Sequence, residues 1–101
     1  MTEIRVRNDT GASLDQVLVT VGDGPRRQLS LGPVPGGSVS PWHPVPTAAR
    51  YPAIEASGPG TDLAHLPYEG DAQPALPEGR YTYVLRIEAG RLVVDVEPEV
   101  G

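Results

Sequence analysis

His43 and His65 are the side chains best suited to acid–base or metal chemistry, and their setting favours neither. They stand 22 residues apart, which matches no zinc-ligand spacing, and a shared site would have to recruit Asp62 or Glu69. Asp62 and His65 are three residues apart, so an extended strand would point them to opposite faces. Ser13, Ser30, Ser38, Ser40 and Ser57 supply hydroxyls, but none sits in a glycine-flanked elbow between strand and helix, the setting that exposes a nucleophilic serine. Glu69 and Asp71 could share a proton or bridge calcium from a loop, yet two acids in a loop ordinarily stay hydrated. Gly22-Asp23-Gly24 and Gly36-Gly37 are turn sequences without phosphate-cradling spacing. The expectation is a protein that is not an enzyme and carries no cofactor and no metal.

The least ordinary cluster is Ser40-Pro41-Trp42-His43-Pro44-Val45-Pro46, where the only tryptophan lies among prolines that block backbone pairing. The favoured reading makes Trp42 a plug at one end of the fold. The other makes it a partly exposed anchor, because aromatic side chains carry interface energy well. Arg50, Tyr51 and Tyr68 could share that surface with Trp42 and His43. Together they would form an aromatic and cationic patch suited to a peptide, glycan or protein.

Holding such a patch requires a scaffold, and 101 residues suffice for one domain with one core, expected over residues 1–101. With 39 % apolar residues and no phenylalanine, packing must rely on Val, Leu and Ile, which favours strands. Twelve glycines and twelve prolines approach the level at which disorder is considered, but regular alternation at both ends restricts that to the middle of the chain. The net charge of −5 disfavours a non-specific hold on nucleic acid, which needs a clustered basic surface. All eight bases are arginine, a bias read here as that of a GC-rich genome. Without cysteine there is no disulfide and no thiol chemistry. No apolar run of about 18 residues could span a membrane. The chain as it stands is expected in the cytoplasm, or at the cell envelope if a signal or lipid anchor has been removed from it.

The elements follow from periodicity. Residues 3–7 alternate Ile4 and Val6 with charged residues and end in the turn chemistry of Asn8-Asp9-Thr10-Gly11. Residues 15–21 set Val17, Val19 and Val21 on one face. Residues 28–31 and 38–42 predict short third and fourth strands. Eight prolines within residues 41–77 forbid a long helix or an unbroken central strand. Residues 53–57 can pair with 61–66 across Gly58-Pro59-Gly60. Residues 79–97 predict a hairpin with one register: Ala89-Gly90 turns, and Glu88 faces Arg91, Ile87 Leu92, Leu85 Val94 and Tyr83 Val96, with Pro98 ending the ladder opposite Tyr81. The predicted architecture is an all-β antiparallel sandwich of seven or eight strands, with a small open β-barrel as the alternative.

Leu76-Pro77-Glu78-Gly79-Arg80-Tyr81-Thr82-Tyr83-Val84-Leu85 resembles the entry into a late strand of immunoglobulin-like and prealbumin-like sandwich modules. Residues 29–38 resemble the turn after an early strand in bacterial immunoglobulin-like modules. The resemblance implies that Tyr81 caps the corner with its hydroxyl, a structural role. Over most of its length the chain also resembles an uncharacterised group of bacterial proteins, some with lipoprotein signals; Tyr51 and Pro67-Tyr68-Glu69-Gly70 are the matching positions. That resemblance implies no activity.

Three functions remain open on the sequence. The first is a non-catalytic interaction module for a protein or surface component. The second is a small metal-dependent ligand binder or enzyme using His43 and His65. The third is a structural subunit that forms a homo-oligomer through an edge strand.

Overall fold

Alternation at the N-terminus produces β1, Thr2–Asn8, in which Thr2, Ile4, Val6 and Asn8 point inward and Glu3, Arg5 and Arg7 outward. The other strands of the computed structural model are β2 (Gln16–Val21), β3 (Arg27–Ser30), β4 (His43–Val45), β5 (Ile54–Gly58), β6 (Thr61–His65), β7 (Arg80–Glu88) and β8 (Arg91–Pro98). The structure describes residues 2–21, 27–45, 53–65 and 76–99. Among them there is no helix, and none therefore long and apolar enough to cross a membrane.

The described residues form two four-stranded sheets, in the orders β4-β1-β7-β8 and β3-β2-β5-β6. Every neighbouring pair is antiparallel except β1 and β7, which run parallel from Glu3 beside Arg80 to Asn8 beside Leu85. The sheets stack as a sandwich. Neither end strand of one sheet pairs with an end strand of the other, so the barrel alternative is not realised. Between the layers lie Ile4, Val6, Leu14, Val17, Val19, Leu31, Val34, Ile54, Ala56, Tyr83, Leu85 and Leu92.

The hairpin of β7 and β8 has the register its sequence predicts, from Glu88 opposite Arg91 to Tyr81 opposite Pro98. Its inner face is less uniform than alternation implies: Tyr83, Leu85 and Leu92 are buried, whereas Ile87 near the tip is 39 % exposed. The paired register ends with Pro98 opposite Tyr81, as expected, and one further bond follows it, from Glu99 N–H to Arg80 O at 2.8 Å. In this register the nitrogen of Pro98 faces away from β7, so its missing donor costs no bond.

Ala89 and Gly90 form the turn with φ of 52° and 76°, both left-handed. That is the mirror-image turn that matches strand twist, and alanine is a poor residue for its first position. Ala89→Asn should therefore stabilise the protein by roughly 0.5–1 kcal/mol. Urea denaturation read by circular dichroism checks this, and an unchanged or lower midpoint would refute it.

Tyr81 donates its hydroxyl proton to Pro77 O, four residues upstream, which is the corner contact expected of it. The β5–β6 hairpin turns at Pro59-Gly60, with Gly60 at φ 69°, again close to expectation. The fourth strand is shifted. Its ladder lies at His43–Val45 rather than at residues 38–42, which follow β1 with a single bridge from Val39 to Arg7. The offset between these two registers is one residue, and Ser40 absorbs it. Its buried hydroxyl accepts the Val6 N–H at 3.0 Å, while Ser40 N–H donates to Val6 O at 2.8 Å.

Candidate functional site

Because β1 sends its odd-numbered residues outward, the outer face of the β4-β1-β7-β8 sheet carries Glu3, Arg5 and Arg7. The register adds Arg80, Thr82, Val84, Arg86 and Glu88 from β7 and Arg91, Val93, Asp95 and Glu97 from β8. Thr82 and Val84 are only 3 % exposed although they face away from the core. Their neighbours on β1 are arginines. Arg5 Nε donates to Thr82 Oγ1 at 3.0 Å, and Arg7 lies beside Val84 across the parallel ladder. An aliphatic stem laid on apolar surface with its head group in water does the work of a covering layer.

The head groups then pair laterally. Arg80 Nε donates to Glu3 Oε1 at 3.2 Å, and Arg5 lies 3.7 Å from Glu99. Arg7 bonds Asp9 at 3.2 Å and approaches Glu97 at 3.5 Å; Arg86 bonds Asp95 and lies 3.6 Å from Glu88. Arg86 Nε is buried without a hydrogen-bond partner among the described residues, which fits a side chain lying flat on the sheet. Each exposed pair contributes only ~0–1 kcal/mol, so the lattice fixes positions more than it adds stability.

Trp42 belongs to this face. Pro44 stands opposite Glu3 and His43 opposite Ile4, so the next position places Trp42 beside Arg5. The Arg5 guanidinium lies 4.4 Å from the indole centroid and that of Arg80 5.5 Å. Such contacts range from ~0.5–1 kcal/mol in water to ~2 when desolvated. The indole is half-buried and is absent from the apolar cluster between the sheets, so it is an outer-face residue and not an end plug. Arginine suits the role better than lysine, because a planar guanidinium can stack on a ring while its edge pairs with a carboxylate. Five of the eight arginines, Arg5, Arg7, Arg80, Arg86 and Arg91, lie on the strands of this one sheet.

The remaining predicted site residues do not join Trp42. His43 shares the inner side of its sheet with Ile4 and is half-buried there. Arg50, Tyr51 and Tyr68, together with Glu69 and Asp71, lie outside the described residues. His65 sits opposite Ile54 on β6, and Asp62 opposite Ser57 on the other side of that strand. The two histidines occupy different sheets, on β4 and on the strand that packs beside β8. Among the described residues no group of three His, Cys, Asp or Glu side chains could hold a metal ion.

Compared with protein-family models, with curated proteins and with solved structures, the chain matches none.

Arg5 and Arg80 are the residues that sequence reasoning missed. Their signal was present as arginines at outward positions of two strands, but nothing local indicates that β1 and β7, 77 residues apart, are neighbours.

Proposed function

We propose that the protein is a non-catalytic binding module that recognises a protein segment on the outer face of the β4-β1-β7-β8 sheet, centred on Trp42. The observation that carries this reading is the indole held by Arg5 and Arg80 on an outward sheet face instead of in the core. Tryptophan and arginine are the residues on which interface energy concentrates, and here each is already ordered by its neighbours, which lowers the entropy lost on binding. The chemistry this face offers is stacking and exchange of carboxylate partners. A segment with a planar side chain flanked by an acid fits it, because the acid can compete with Glu3 or Glu99 for a guanidinium. The Tyr81 corner supports placing the sandwich among immunoglobulin-like or prealbumin-like modules.

Trp42 is the only tryptophan, so its fluorescence reports directly on the site. Titration with short acidic peptides containing tyrosine or proline should shift its emission. Arg5→Ala should weaken that binding by at least tenfold, about 1.4 kcal/mol. Trp42→Ala should leave the fold intact, with a melting temperature within about 5 °C of the parent. An indole that acrylamide cannot reach, together with unfolding of Trp42→Ala, would overturn the proposal.

A further inference from the structure

A two-residue hairpin turn is closed by a pair that exchanges both backbone hydrogen bonds, and such pairs then recur at every second position. In the last hairpin they are Glu88 with Arg91, Arg86 with Val93, Val84 with Asp95 and Thr82 with Glu97. The bond from Glu99 N–H to Arg80 O continues the series. The N–H and C=O groups of Leu92, Val94 and Val96 therefore point away from β7. β8 ends its sheet, and among the described residues no strand pairs with that edge; β6 of the other sheet packs beside β8 without entering its ladder.

We infer that this edge pairs with a second copy of the chain, antiparallel about a two-fold axis, with Val94 facing Val94 of the second copy. The sequence of β8 is self-complementary in that register at every pair except Val93 with Asp95. Leu92 meets Val96 on the inner face, and Arg91 meets Glu97 on the outer face, each twice by symmetry. The outward groups of Leu92, Val94 and Val96 align with one another, giving about six backbone hydrogen bonds. Arg91 and Glu97 are both exposed and fall in pairs without backbone bonds, where side chains approach most closely. The neighbouring symmetric registers are poorer. Asp95 facing Asp95 opposes like charges and sets Pro98 against Leu92, and Val93 facing Val93 moves one pair of edge bonds onto the turn residue Gly90. The match of charge, apolar pairs and backbone groups in one register selects a second copy over an unrelated partner. β8 and β4, the strand that follows Trp42, lie at opposite ends of this sheet.

Sedimentation of the full chain across micromolar to millimolar concentration tests the inference. The expected result is conversion from 10.7 kDa to twice that mass, unaffected by Trp42→Ala. Val94→Pro removes an amide that β7 does not use, and it should remain monomeric with an unchanged β-sheet circular dichroism spectrum. Arg91→Glu and Glu97→Arg, both at exposed positions, should each weaken the dimer about tenfold, and the double variant should recover it. A parent chain that stays monomeric throughout overturns the inference. So does a double variant no stronger than the singles, or a folded Val94→Pro that still dimerises.

Discussion

Asn8→Ala should lower the melting temperature by about 15 °C. Asn8 is fully buried at the end of β1, and its amide uses both ends. Nδ2 donates to Ala12 O at 2.6 Å and to Val34 O at 2.8 Å, while Oδ1 accepts from Thr10 N–H at 3.0 Å and from the Thr10 hydroxyl at 2.6 Å. One side chain thereby ties the β1–β2 loop to the segment leading into β4. Alanine removes all four bonds, although Val34 O keeps the Leu14 N–H as a donor at 3.1 Å. Each bond contributes ~1 kcal/mol net, so the loss of all four is expected to cost about 3 kcal/mol. At this chain length that corresponds to roughly 5 °C per kcal/mol. Asn8→Asp should be at least as damaging, because a carboxylate cannot donate to the two carbonyls. Calorimetry decides, and a loss under 1 kcal/mol for either variant would mean the loop is held by something else.

Gly58→Ala should cost about as much, for a different reason. A Cβ built on Gly58 would fall well inside van der Waals contact with the Ser13 carbonyl oxygen, and the obstacle is backbone. The same stretch is pinned by Asp15 N–H donating to Ser57 O at 2.7 Å, so it cannot retreat without losing that bond. Overpacking against fixed backbone costs ~1–3 kcal/mol, with the upper end expected here. Gly60, two residues away, is the control. It has φ 69° and open space around it, so Gly60→Ala should cost only the left-handed penalty of ~1 kcal/mol. Equal losses at the two positions, measured by chemical denaturation, would refute the steric account.

The last hairpin was legible because its information is local. Alternation assigns the faces, Ala89-Gly90 fixes the turn, and Arg, Glu and Asp on alternate positions forbid a slipped register. The burial of Thr82 and Val84 was not legible, because their neighbours on that face, Arg5 and Arg7, come from a strand at the other end of the sequence. The fourth strand was displaced for a related reason: a serine hydroxyl stands in the backbone ladder, and periodicity carries no sign of that substitution. Trp42 shows the limit most plainly. Flanking prolines revealed that the segment is constrained, but the side on which the indole lies depends on the pairing of β4 with β1 and on arginines from β1 and β7.

The parallel pairing of β1 with β7 also has a consequence for synthesis. β1 is an interior strand of its sheet, yet the neighbour on one side is 77 residues downstream, and the other, β4, spans three residues. While the chain emerges from the ribosome, β2, β3, β5 and β6 can complete their own sheet, but Ile4 and Val6 have no full-length partner until β7 is free of the exit tunnel. Such long-range closure makes folding slow, and it leaves the first strand exposed for most of translation. The alternating charges Glu3, Arg5 and Arg7 then act as a guard, keeping the waiting strand from pairing with other nascent chains before its own partner arrives.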